Sequence, residues 1–597
     1  MVSHYKGEAV LFKPKALWKV LNSVRAEINY PGSKMVAKKP ELFAREATGL
    51  VREIGFTLGV IIILSHVIGL GWQKRAFQFA GPAPMPITDM PLGLPAMFWA
   101  FLACGIVVLI TGYAAGYVAA AMPRSGGGYV TISRVIHPFV GYIAAWLMFL
   151  AEAFSYGLIG VAVFEAIMIF YNIALAPVVI DIGAAGLFIG GLVIVWIFAI
   201  IALLGTKLYG RLMEVLFYIP AVITIIFFAM WIAGAMNPDF VVKGVTEVMG
   251  VTPETIVQLA KDTGMVEHAV GFFDAFSLAL GGAFWAYMGW YATTFVAGEV
   301  KEANKKLPLI LLVSGLAIMV VYLLASSLSS VACMNVASDG QWSFYQAYAW
   351  LSYPPGAAKD AVAEALKTIP NFQKAWSTGI ASMVARGMGL GWLSWLIALG
   401  GVLWVANDIP PFLLVASRTF FAMAFDRMMP EKFAYVSERW HAPVWSIIVT
   451  AVFAIPACMA EADFPAGAAT YLSFAGVVGT DIFDAFFLTL FCLSCMLLPL
   501  ERRDVYERAA VKHSVGTVCT LGFLATLGGA FCLYIFIKES PWIWSLFTSG
   551  AEVSDIVSAI GFFGCIVVGI LLYVYYMYRN TTRGIDMRTL YLSIPPE

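Results

Sequence analysis

The chain has 597 residues, 61% of them hydrophobic and only 12% charged. Soluble domains carry about twice that share of charge, so composition excludes a soluble globular protein and points to a polytopic one whose chief partner is the lipid bilayer. Lys plus Arg and Asp plus Glu stand at 37 each, a balance that singles out no protein partner, and no nucleic acid is expected.

In chain order, residues 1–53 are polar and basic, with no short apolar run of the kind that marks a cleavable signal peptide. Within them Leu17, Val20, Leu21, Val24 and Ile28 recur at helical spacing among lysines and arginines, the pattern of a helix lying in an anionic leaflet or of a plain solvated one. Apolar runs then follow at 54–79, 96–122, 139–171, 184–204, 212–235, 271–297, 307–334, 390–424, 444–458, 468–498, 515–537 and 557–578. They read as an all-α bundle of about twelve transmembrane helices. No ten-residue blocks of period-two alternation occur, which argues against an outer-membrane barrel.

Lys and Arg cluster in alternate short loops, at Arg124 and Arg134, Lys207 and Arg211, Lys301 to Lys306, Arg427 to Arg439, Arg502 to Lys512 and Arg579 to Arg588. That asymmetry predicts cytoplasmic N- and C-termini. The long segment 335–388 becomes an external excursion. The eight cysteines lie mostly inside apolar runs and give no disulfide framework, and Cys492 and Cys495 lack the further ligands of a zinc site. No HExxH or Gly-x-Ser-x-Gly occurs, so neither an enzyme nor a cofactor or metal is expected.

Two of the spans are interrupted. The first carries Ser65, His66, Gly69 and Gly71 near its middle, and the sixth carries Gly281-Gly282 and Tyr287-Met288-Gly289. Non-helical backbone at membrane depth survives only where it is buried in protein or lines a cavity, and transporters use such breaks to aim half-helix ends at a solute. The alternative reading is that these glycines are kinks or close helix contacts.

Several motifs resemble those of the amino acid–polyamine–organocation (APC) transporters. They are Ile68-Gly69-Leu70-Gly71 with Ala80-Gly81-Pro82, and Pro123-Arg124-Ser125-Gly126-Gly127-Gly128-Tyr129. Further on come Phe284-Trp285-Ala286-Tyr287-Met288-Gly289-Trp290, Gly298-Glu299-Val300-Lys301, and the run from Ser417 to Pro430. The resemblance implies a LeuT-like 5+5 inverted repeat (54–236 and 270–500 within a core of 54–500), two additional helices in 501–580 and a cytoplasmic tail 581–597. It also implies a secondary active transporter in the plasma membrane, moving an amino acid or related amine by alternating access, coupled to H⁺ or Na⁺ or working by exchange. A substrate sensor on the same fold is the alternative. Tyr117 and Pro220 depart from the family pattern, where an acidic residue and, in some members, a lysine stand. Lys74 and Arg75 are unusual too and are expected to repel cationic solutes.

A transported amino acid presents a carboxylate and an ammonium. The freed N–H groups of Ile68, Gly69, Leu70 and Gly71, at the positive end of a half-helix, suit the carboxylate. Carbonyls from Ala283 through Trp285, Ala286 and Tyr287 suit the ammonium. His66 is placed to contact the solute, and Trp285 to close over it; a hydrogen-bonded structural histidine and a packing tryptophan are the plain alternatives. Ionisable residues inside spans are costly unless paired or hydrated. Glu152, Asp408 beside Asn407, and Asp481 are therefore the candidate coupling groups, with Glu165, Asp274 and Asp484 nearer to water or less deep. Pro410 and Pro411 are expected to disturb the helix next to Asp408 and expose carbonyls.

Overall fold

A computed structural model describes residues 42–175, 182–369, 371–548 and 550–596. The N-terminal amphipathic pattern lies outside the described residues. Among those described there is no strand; the extended pairings are isolated bridges, Ile54 with Val300 and Ser125 with Val296.

The first span is two helices, α1 (Phe56–Val67) and α2 (Leu70–Gln78). Then come α3 (Ala96–Ala121), the short α4 (Gly128–Val135), α5 (Pro138–Leu175), α6 (Gly183–Leu203) and α7 (Thr206–Met236). The sixth span is α8 (Phe272–Tyr287), followed by 3₁₀ turns rather than by more helix. Next are α9 (Ala303–Met334), α10 (Ser377–Gly387), α11 (Gly391–Phe425), α12 (Val444–Phe453), α13 (Ile455–Ala462) and α14 (Val477–Glu501). The chain ends with α15 (Val515–Lys538), α16 (Val553–Thr582) and the short α17 (Met587–Leu592). Eleven of these elements are long and apolar enough to cross a membrane among the described residues, counting α1–α2 and α12–α13 as one span each. The broken sixth span, whose helix has 16 residues, completes the expected dozen.

Differences from the expected boundaries have local causes. The ninth span divides at Ala454, where Pro456 enters the first turn of α13 and supplies no N–H. The tenth begins at Val477 because extended Gly476 follows a pair of short turns. Pro410 and Pro411 do not break α11, which stays helical through them; the Tyr209 hydroxyl donates to the Pro410 carbonyl at 3.2 Å.

Burial sorts spans that hydropathy alone does not. The most apolar windows of α1–α2, α5 and α11 are 78%, 72% and 72% buried, whereas that of α16 is 22% buried at a higher hydropathy. The first, third and eighth spans are thus the interior. On α16, exposed Ile560, Leu571 and Tyr578 form a face suited to lipid. The described ends meet on one face near the end of α11. There Ala44 N–H donates to Phe425 O, and Arg134 on α4, which pairs with Asp426, also donates to Ser593 O at 3.4 Å.

Candidate functional site

The two breaks meet around a small cavity of about 40 Å³. From the broken spans it is lined by His66, Val67, Gly71, Trp285, Ala286 and Met288. Helix α5 adds Ala151, Ser155, Leu158 and Ile159, α11 adds Asp408 and Phe412, and α14 adds Thr480, Asp481 and Asp484. A mostly apolar concavity with a few convergent polar groups is the usual form of a small-molecule site. Of the sequence candidates, His66, Gly71, Trp285, Ala286, Asp408 and Asp481 come together here. Ile68, Gly69, Leu70, Ala283 and Tyr287 are buried just behind the wall; the Tyr287 hydroxyl turns away to donate to Phe101 O at 3.1 Å.

Helix α1 ends at Val67 because Ile68 (φ −86°, ψ 82°) and then Gly69 (φ −144°, ψ −105°) leave the helical region before α2 starts. The freed groups find partners inside the protein. Leu70 N–H, the first of α2, donates to Asp408 Oδ2 at 3.2 Å, so a carboxylate from α11 caps the half-helix. Only glycine fits at position 69, since a Cβ there would overlap that carboxylate. The Tyr322 hydroxyl on α9 lies 2.5 Å from Val67 O and 2.6 Å from Ala286 O, sharing one proton between the carbonyls of both breaks. Gln73 Nε2 donates to Gly69 O at 3.0 Å and Gly401 O at 3.2 Å, fixing α2 to α11.

His66 Nε2 lies 3.4 Å from Glu152 Oε2, close enough for an ion pair but outside hydrogen-bond geometry. Its ring meets Phe412 edge-on at 4.2 Å between centroids. Gly289, at φ +89°, packs so tightly on this ring that a Cβ would come within 2.6 Å of it. Several buried polar atoms here have no hydrogen-bond partner: His66 Nδ1, Glu152 Oε2, Asp408 Oδ1 and both amide atoms of Asn407. Asp484 accepts from the Tyr291 hydroxyl.

The cavity is closed at one end by Trp285, whose ring carries the Arg75 guanidinium 3.8 Å from its centroid. Arg75 also donates to Gln78 and has Asp481, Glu461 and Glu539 within electrostatic range. Lys74 Nζ is 3.3 Å from Glu165 Oε2. Lys74 is thus paired with a carboxylate, whereas Arg75 is held by Gln78 and the Trp285 ring. At the opposite end, Arg418 on α11 pairs with Glu299 through bonds of 3.0 and 3.1 Å, and Gly126 N–H donates to Phe295 O at 2.8 Å.

A family described as amino acid permease matches residues 55–584, almost the whole helical bundle. The chain belongs to that family. Among its relatives are the serine/threonine exchanger SteT of Bacillus subtilis (strain 168) and the b(0,+)-type amino acid transporter 1 of Mus musculus. The first is 24% identical over 266 residues, covering 44% of this chain and 51% of that protein. The second is 23% identical over 282 residues, covering 47% and 51%. This permease chain thus spans about half the length of each curated relative it matches. Within the family frame, Tyr322, Phe412 and Gln73 are contributors that sequence reading missed; in an apolar run a tyrosine or phenylalanine reads as packing.

Proposed function

We propose that the protein is a secondary active transporter that moves an amino acid or related amine across the plasma membrane by alternating access, by ion coupling or exchange. The observation that carries this reading is the meeting of two broken spans at one cavity, with a separate closure at each end. Family membership and the transporter relatives support it. In the proposed cycle, Trp285 under Arg75 closes the outer end, Arg418–Glu299 closes the cytoplasmic end, and the α1–α2 and α8 half-helices hinge at their breaks. Glu152, Asn407, Asp408 and Asp481 remain the coupling candidates, for H⁺ or Na⁺. Of these, Asp408 and Asp481 line the cavity, while Glu152 reaches it through His66. Uptake of labelled amino acids and amines into liposomes holding the purified protein, under imposed H⁺ or Na⁺ gradients and by counterflow, tests the reading. Saturable flux of one chemical class is expected. Neither flux nor binding of any amino acid or amine would overturn it.

A further inference from the structure

Within that transporter reading, the position a solute carboxylate would take is already filled by a side chain. Leu70 N–H points from the start of α2 at Asp408 Oδ2, 3.2 Å away, and the space beside Gly69 is occupied by the same carboxyl group. Asp408 comes from a helix 338 positions along the chain, is 4% exposed, and faces the cavity with its second oxygen buried and unpartnered. The carbonyls freed at the two breaks are likewise taken, both by Tyr322.

What the cavity wall still offers is acidic. Three carboxyl groups line it, Asp408, Asp481 and Asp484, beside His66 and with no Lys or Arg among the lining residues; the Arg75 guanidinium is stacked on Trp285. An α-carboxylate entering here would face those three groups, and to reach Leu70 N–H it would have to displace Asp408. An ammonium would instead supply the donor that Asp408 Oδ1 lacks, with Trp285 and Phe412 to pack on its carbon chain.

We propose that Asp408 is a resident stand-in for the carboxylate of an amino acid, and that the transported solute is an organic amine cation with no carboxylate of its own. The specificity is set by exclusion as much as by attraction, because a second carboxylate at a buried half-helix start is left without a counter-charge.

The test uses the full chain in liposomes and matched pairs that differ only by the α-carboxylate. The pairs are ornithine with 1,4-diaminobutane, lysine with 1,5-diaminopentane, arginine with agmatine, and tyrosine with tyramine. For at least one pair the wild type is expected to take up the amine with a half-saturation at least about tenfold lower than its amino acid, the size expected for one charge-assisted contact. Asp408→Ala, which bares Leu70 N–H, is expected to shift that preference towards the amino acid by about tenfold or more. Wild type that carries amino acids as well as or better than their amines overturns this inference and leaves the transporter reading standing. A folded Asp408→Ala protein with unchanged preference overturns the role of Asp408. If that variant does not fold, the wild-type panel decides alone. Absence of flux and binding for both members of every pair overturns this inference, and only its extension to every amino acid and amine overturns the transporter reading itself.

Discussion

Glu539 stands one residue past α15, its carboxyl group pressed against the backbone of Gly281 on α8. Burial holds its pKa up at about 7 from the usual 4.5, although Arg75 and Lys538 favour the charged form. With the folded value above the unfolded one, the folded protein binds the proton more tightly. Stability therefore falls as pH rises from 4.5 to about 7 and is level beyond. Glu539→Gln removes that dependence. Thermal melts should show the variant more stable than wild type at about pH 8 and indistinguishable from it at pH 4.5; an offset equal at both would rule burial out as the cause. How such residues acquire their roles was only partly legible in the sequence. Gly69 and Gly289 could be read as candidate breaks, but glycine in an apolar run also serves close packing, as Gly281 and Gly282 do inside an unbroken α8. That Gly69 makes room for Asp408 could not be read, since no local pattern links it to a carboxylate 338 positions beyond its neighbour Leu70. The same holds for Lys74 and Arg75, whose charges looked exposed until Glu165 and Trp285 came beside them.

Among elements, the two broken spans are joined through α9, which neither interrupts. Tyr322 reaches the last carbonyl of α1 and the Ala286 carbonyl in α8 with one hydroxyl, so the breaks are held as a pair. Tyr322→Phe keeps the ring against Phe101 and Tyr287 but leaves two buried carbonyls without that donor. A loss of about 1–3 kcal/mol in stability is expected, together with slower transport. Melting temperature and uptake measured on the same preparation check this; an unchanged melt would mean that water replaces the hydroxyl. A second junction ties α4 to the end of α11. Arg134 makes bonds of 2.6 and 2.8 Å to Asp426, Tyr129 donates to the same carboxylate at 2.8 Å, and Tyr591 of α17 lies under the guanidinium. Removing one partner of a buried pair leaves an uncompensated charge, which costs about 3–5 kcal/mol. Arg134→Met should therefore destabilise strongly, and Arg134→Met combined with Asp426→Leu should recover most of the loss in a melt. The signature Pro123-to-Tyr129 run was legible as a motif, but its work as a brace was not, because its partner Asp426 is on another helix.

At the scale of the whole molecule, both ends of the cavity are closed at once. One closure is aromatic and cationic, Arg75 on Trp285; the other is a buried ion pair, Arg418 with Glu299, reinforced by the bridges of Ile54 with Val300 and Ser125 with Val296. A carrier that opens its two ends in turn must let each closure part without the other, and the populations of the open states depend on the difference in their strengths. The two closures are chemically independent, so weakening either should tilt the equilibrium in a known direction. Glu299→Gln keeps the shape of the side chain but removes the charge that holds Arg418, which favours opening at the end where Ile54 enters the bundle. Ala286 lines the cavity and offers a reporter. In a background freed of the eight native cysteines, Ala286→Cys should react faster with a membrane-impermeant thiol reagent from the face where the described ends meet once Glu299→Gln is added. Reactivity from the opposite face should fall. Arg75→Ala should do the reverse, since it frees Trp285. Equal acceleration from both faces would mean that the closures part together, as in a pore, and would be incompatible with alternating access.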